Sequence, residues 1–289
     1  MSAAFRLNAG DIVKPVFATS ALAFDSSWPE SWRVSHDHDS VEIWGDRRNP
    51  GYTSAYHRRL AGVLAALHRH TPQGGKVLDL AAAQGNFSLA ANALGYQVTW
   101  NDLRADLESY VRLKSPDAGK LEFVAGDIFS LTGFDAAFDT VMALEIIEHV
   151  AHPDEFLRRV ATLIKPGGHI ILTTPNGGFF RNRLPRFSDC PDPSVFESVQ
   201  FQPDGDGHIF LLHEDEIRSL AAKAGLRVVE FRTSINPLTA GFLGTRALHR
   251  VLPDAVIAAV EAVTRRLPGA LSRRLNISSL AVLARDPAA

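Results

Sequence analysis

With 289 residues, 46% apolar and 21% charged, the sequence can bury a full hydrophobic core without metal or disulfide staples. A formal net charge of −2 supplies no whole-chain field for a polyanion, which disfavours nucleic acid while leaving a local basic patch open. Cys190 is the single cysteine, so an internal disulfide is excluded and a reducing, cytoplasmic setting is expected.

Residues 1–20 contain no continuous apolar run, Asp11 interrupting them, and no secretory signal is expected there. Residues 1–50 show no clear periodicity and carry turn formers beside aromatics, as in Trp28-Pro29-Glu30-Ser31-Trp32, which reads as an arm folded over the main domain. The tract His36-Asp37-His38-Asp39 reads as an exposed polar loop, metal binding being the weaker alternative. Ala55, Leu60, Val63, Leu64 and Leu67 then recur at helical spacing, predicting an amphipathic lid helix over 54–70, which Pro72, Gly74 and Gly75 end.

From residue 76 short apolar runs alternate with helical stretches. Strands are expected at 76–81, 97–101, 121–124, 140–143, 168–173 and 227–233, and helices at 86–94, 103–113, 153–164 and 214–224. That alternation predicts an α/β fold with a mostly parallel sheet, helices on both faces and a ligand crevice at the carboxyl ends of the strands. Residues 237–277, punctuated by Pro237, Pro253 and Pro268, read as a helical insert before a last strand at 278–284. The organisation is therefore an N-terminal arm and lid helix (1–70), a core (71–236), the insert (237–277), and a last strand with its tail (278–289). The most apolar stretch, 255–263, contains Glu261 and falls short of the roughly 20 residues a membrane span needs.

The first strand runs into the small-residue loop Asp79-Leu80-Ala81-Ala82-Ala83-Gln84-Gly85, where a backbone and a helix N-terminus can approach a ligand closely. The second strand ends at Asp102, about 20 residues on, where a Rossmann-like fold holds a ribose through its hydroxyls. The third ends at Asp127-Ile128, a carboxylate and an apolar side chain suited to an exocyclic amine and an adenine face. A dinucleotide dehydrogenase would account for Asp102 but not for Asp127.

These residues, with Phe138-Asp139-Thr140-Val141, Glu145-Ile146-Ile147-Glu148-His149-Val150 and the turn Leu163-Ile164-Lys165-Pro166-Gly167-Gly168, resemble the motif series of class I S-adenosylmethionine-dependent methyltransferases. The resemblance implies a Rossmann-like fold with a seven-stranded sheet. It also implies an S-adenosylmethionine site at Asp79, Ala81, Ala83, Gly85, Asp102, Asp127, Ile128 and Leu144. The sequence departs from the family in having alanine at 81 and 83, where glycine is usual. Alanine disfavours positive φ, so negative φ is expected at both positions, and a non-catalytic cofactor-binding protein is the alternative this departure motivates.

Glu145, Glu148 and His149 lie at i, i+3 and i+4, which on a helical turn share one face. With His208 they form a set suited to Mg²⁺, Mn²⁺ or Zn²⁺. Glu-x-x-Glu-His resembles ubiquinone-type O-methyltransferases and small-RNA 3′-terminal 2′-O-methyltransferases. Both resemblances imply ionisation of an acceptor hydroxyl that then attacks the methyl group. Without metal, His149 or His208 is the expected general base, with Glu145 beside them, while His213 serves a helix start.

Tyr52, Tyr56, His57 and Arg59 precede the first strand, where a lid helix would offer a cation to the cofactor carboxylate or merely present a solvated face. Phe179, Phe180, Arg181 and Arg183 are expected to line the acceptor pocket. Arg246, Arg250, Arg265, Arg266, Arg273 and Arg274 sit among apolar residues in the insert, so residues 240–275 could meet an anionic inner membrane face. The expected acceptor is a small-molecule or lipid- or glycan-linked hydroxyl, with an RNA terminus as the alternative. Oligomeric state is not legible from these features.

Overall fold

Val77 and Leu78 are fully buried, and Val141, Met142, Ile170 and Ile171 are buried beside them, because strands covered on both faces read as nearly continuous apolar runs. The computed structural model describes residues 21–46, 48–115, 121–200, 207–242 and 252–287. Its sheet has seven strands: β1 (Lys76–Leu80), β2 (Gln97–Asp102), β3 (Leu121–Ala125), β4 (Phe138–Leu144), β5 (Ile164–Pro175), β6 (Leu226–Ser234) and β7 (Ser278–Arg285). Their order is β3-β2-β1-β4-β5-β7-β6. Pairing is parallel from β3 through β5, and only β7 runs antiparallel to its two neighbours. The expected Rossmann-like, mostly parallel sheet is observed.

Helices cover both faces. One layer holds α2 (Pro50–His70), α3 (Asn86–Ala93) and α4 (Leu107–Lys114), and the other holds α5 (Pro153–Leu163) and α6 (Glu214–Lys223). Successive strand residues alternate between the two: Val141, Ala143, Ile170 and Leu172 pack with α5 and α6, whereas Met142 and Ile171 pack with α2. The β1–β4 crossing point leaves the carboxyl ends of these strands open between α2 and the β5 side, which is where such a sheet binds ligands.

Several expectations change. Residues 1–20 lie outside the described residues, but 30–42 are not an irregular arm: they form helix α1 (Glu30–Glu42). Its buried side is Ser35, Asp39, Val41 and Glu42, so a search for apolar periodicity does not register it. The tract His36 to Asp39 is accordingly helical, and Asp39 is completely buried rather than exposed. Helix α2 begins at Pro50, four residues before the expected start at 54, with Asn49 accepting the Tyr52 N–H. Helix α4 begins at 107 rather than 103, because the Asp102 carboxylate accepts the Arg104 N–H and holds a turn there.

Within the insert, 243–251 lie outside the described residues, Arg246 and Arg250 with them. The remainder forms α7 (Asp254–Arg265) and α8 (Gly269–Leu275). Glu261 of α7 is buried and fastens the insert, accepting the Asn236 N–H at 2.9 Å and the Thr239 hydroxyl, with Arg58 of α2 at 3.9 Å. Among the described residues no helix is long and apolar enough to cross a membrane.

Candidate functional site

The loop between β1 and α3 turns so tightly that Ala81 and Ala83 adopt φ of 54° and 48°. The negative φ expected there is incorrect. Left-handed backbone costs an alanine roughly 1–2 kcal/mol per position. Here hydrogen bonds anchor the chain: Ala82 N–H donates to Asn101 O, Ala83 N–H to Asp102 Oδ2, and Gly85 N–H to Ala82 O, each at 2.9 Å. Gly85 retains its glycine for two reasons, φ of 70° and the Val111 side chain 3.3 Å from where a Cβ would stand.

A cavity opens over this loop, walled by Ala81 to Gln84, Asp79, Leu144 and Glu145 below and by His38, Glu42, Tyr56 and Arg59 above. Arg59 donates to Glu145 Oε2 at 3.1 Å, and its guanidinium lies 5.3 Å from the centre of the Tyr56 ring. The solvated-face alternative for this part of α2 therefore fails for Tyr56, which is buried, and for Arg59, which is largely so. Asp79 accepts the Ser88 hydroxyl at 2.6 Å, and burial pushes its carboxyl up to about 7.

The other expected cofactor residues lie along the same sheet edge but do not line this cavity. Asp102 is spoken for on both oxygens, by the Ala83 N–H and by Arg104, whose Nε donates at 3.0 Å. Asp127 caps its own turn, accepting the Phe129 N–H and the Ser130 hydroxyl. Ile128 is buried in the core.

Glu145 sits apart from its expected companions. It has φ of 52° and turns toward Arg59, while Ile147–His149 form a separate 3-10 turn, so the three residues do not share a helical face. Glu148, His149 and His208 do converge, with ligand atoms all within 4.8 Å of one another and the two imidazole centres 4.9 Å apart. Glu148 is completely buried; Oε2 accepts the Thr174 hydroxyl at 3.0 Å, and Oε1 has no hydrogen-bond partner among the described residues. Burial, with Glu145 nearby, holds this carboxyl well above the usual range. The loop segment carrying His208 is placed by Ile209 N–H donating to Glu148 O at 2.7 Å.

His213 stands at the start of α6, where its N–H donates to Glu216. Phe179 is buried against Phe242, but Phe180, Arg181 and Arg183 are exposed. Sequence reasoning missed the polar cluster behind the loop. Lys114 Nζ donates to Asp39 Oδ2 (2.8 Å), Gln84 O (2.6 Å) and Asn86 Oδ1 (2.7 Å), and Tyr110 OH donates to Asp39 at 2.7 Å. Only the unusual placing of charges on otherwise ordinary helices could have hinted at it.

Comparison with known proteins fits this geometry. Residues 52–231 match the family described as "Methyltransferase domain". The ubiquinone biosynthesis O-methyltransferase of Xanthomonas axonopodis pv. citri (strain 306) is 37% identical over 120 residues, 41% of this chain and 49% of that protein. The chain thus spans about half the length of this curated relative. Among solved structures, an S-adenosylmethionine-dependent methyltransferase from Mesorhizobium loti superposes with a TM-score of 0.52 at 17% identity, covering 76% of this chain and 96% of that one. The [4+2]-cyclase SpnF gives 0.54 at 19% identity, covering 90% and 98%. Likeness at this level speaks for the fold alone, since one of the two is called a cyclase.

Proposed function

The chain belongs to the methyltransferase-domain family, and from that premise we propose that it transfers the methyl group of S-adenosylmethionine to a hydroxyl of a small or lipid- or glycan-linked molecule. The carrying observation is the cavity over the Ala81–Gln84 loop, with Asp79, Leu144 and Arg59 in its walls and Glu148, His149 and His208 beyond Glu145. The donor set suits a zwitterionic amino-acid half: Arg59 offers its carboxylate a guanidinium, and the loop offers backbone at close approach. Leu144 contributes apolar surface from the end of β4. Asp102 would take the ribose hydroxyls once Arg104 swings off its carboxylate, and Asp127 and Ile128 would border the base.

When bound, S-adenosylmethionine supplies an electrophilic methyl on a positively charged sulfur. The acceptor oxygen would take that methyl in line, the C–S electron pair leaving with S-adenosylhomocysteine, so the residues around the cavity need only position the two and remove a proton. His149 or His208 takes the hydroxyl proton at a ring nitrogen, so the step balances without redox chemistry. The supporting relative is named an O-methyltransferase of ubiquinone biosynthesis, which favours a phenolic acceptor.

A second reading has Glu148, His149 and His208 holding a divalent ion, Glu145 being engaged by Arg59 instead. It is favoured by the buried Glu148 Oε1, which has no partner among the described residues, the kind of orphaned oxygen that a cation satisfies. Such an ion would lower the acceptor hydroxyl's pKa. An RNA terminus finds less support, given the near-neutral charge.

Calorimetry with S-adenosylhomocysteine followed by transfer of labelled methyl to a panel of phenols and catechols tests the main reading. Binding with label in the ether product is expected. Well-folded protein that binds neither S-adenosylmethionine nor S-adenosylhomocysteine would sink it. His149→Ala should lower kcat by roughly 10²- to 10⁴-fold while cofactor affinity stays put.

A further inference from the structure

Helix α1 lies outside the matched family region, 52–231, yet it sends two buried carboxylates toward the cofactor loop. Glu42 is 3% exposed and forms part of the cavity wall. Its Oε1 accepts the Tyr52 hydroxyl at 2.7 Å, and its Oε2 accepts Gln84 Nε2 at 2.8 Å and Asn86 Nδ2 at 3.2 Å. These hydrogen-bond partners are all uncharged; the charge of Arg59 reaches Glu42 through space, but its guanidinium is bonded to Glu145 instead. A buried carboxylate held by neutral donors has not recovered the hydration it gave up, and a cation entering beside it is strongly favoured. Burial accordingly pushes its carboxyl upward.

The neighbouring acids are less suited. Glu145 already has Arg59 at 3.1 Å, and Asp79 accepts the Ser88 hydroxyl while burial pushes its carboxyl up to about 7. Glu42 is also fixed in place, because one turn earlier Asp39 is bound by Lys114, Tyr110 and Asn86. Lys114 in turn grips the Gln84 carbonyl, so α1, α4 and the loop share one set of buried bonds.

We propose that α1 is part of the cofactor site, with the Glu42 carboxylate receiving the ammonium of the methionine half and the Asp39–Lys114 pair acting as its positioning device. The proposal rests on the reading of this cavity as the S-adenosylmethionine site. It makes the methionine end of the cavity bipolar, Glu42 for the ammonium and Arg59 for the carboxylate. Amino-acid-bearing nucleosides would then be preferred over plain thioether nucleosides by a helix that the shared family region does not include.

The test is a calorimetric cycle on the full chain with three ligands: S-adenosylhomocysteine, its deamino analogue, and 5′-methylthioadenosine, which lacks the amino-acid half. Wild type should bind the deamino analogue about 10- to 100-fold more weakly than S-adenosylhomocysteine, the span of a charge-assisted hydrogen bond. Glu42→Gln, whose oxygen can accept from Gln84 and Asn86 while its amide N–H donates to the Tyr52 hydroxyl oxygen, should lose that discrimination and bind 5′-methylthioadenosine within about twofold of wild type. Should Glu42→Gln fail to fold, the wild-type comparison still decides: equal affinity for the amino and deamino ligands overturns the proposal. Full discrimination retained in Glu42→Gln overturns it as well. If wild type binds none of the three, the cavity reading itself falls, a different and recognisable failure.

Discussion

Ala81 and Ala83 show how a single methyl group carries a readable energetic signature. Each holds a left-handed conformation that glycine adopts freely, and each is kept there by hydrogen bonds of the surrounding loop. Replacing alanine by glycine removes roughly 1–2 kcal/mol of backbone strain and adds roughly 0.5–1 kcal/mol of unfolded-chain entropy. Ala81→Gly should therefore leave stability unchanged or raise it by up to about 1.5 kcal/mol, whereas glycine for alanine at ordinary φ destabilises. Urea titration distinguishes these outcomes, and a loss above about 0.5 kcal/mol would mean the loop is not strained at this position. A β-branched residue at 81 should do the reverse, since positive φ is an outlier for such side chains.

At the scale of elements, α1 is held to the body by a buried ion pair as well as by apolar contacts such as Trp32 on Tyr110. Asp39 and Lys114 are both fully buried, and each also bonds neutral groups: Tyr110 and Asn86 for Asp39, Gln84 and Asn86 for Lys114. Removing one member of a buried pair strands the other, at a cost of about 3–5 kcal/mol, while removing both together is far milder. Lys114→Met should lower stability by that amount, and adding Asp39→Asn should restore a large part of it. Thermal unfolding of the two single variants and the double variant measures the coupling. Additive losses would show that the pair contributes nothing as a pair. Gly177 presents a steric counterpart. A Cβ there would overlap the Leu211 carbonyl, on the segment that carries His208 to Glu148. Gly177→Ala should cost about 1–3 kcal/mol and weaken any Mn²⁺ response read by calorimetry, because the segment must move outward. A stable variant with unchanged response would mean the crossing is loose.

For the molecule as a whole, legibility followed whether the signal was local or long-range. The sheet was readable because buried parallel strands such as 138–144 impose apolar runs, and because each strand end carried its own acid: Asp79, Asp102 and Asp127. Helix α1 was not, because its buried acids accept hydrogen bonds from side chains 42 to 75 positions away, and a polar side chain looks the same in sequence whether solvated or buried. The convergence of His208 on Glu148 was visible as residue types but not as geometry, and the placing of Glu145 on Arg59 was not visible at all.

The same burial makes global stability respond to pH in an unusual direction. Asp79 is raised from 3.8 to about 7, chiefly by desolvation, so between roughly pH 4 and 7 the native chain holds a proton that the unfolded chain has released. Where the native state binds more protons, stability falls as pH rises; this contribution is lost through that window and levels off above about pH 7. A shift of that size corresponds to an upper bound on the order of 4 kcal/mol. Because other acids titrate too, the informative quantity is wild type against Asp79→Asn. Wild type should become progressively less stable relative to the variant from pH 4.5 to 7.5, as followed by urea unfolding at several pH values. A pH-independent gap between the two proteins would show that Asp79 ionises normally and that the floor of the cavity is wetter than its burial implies.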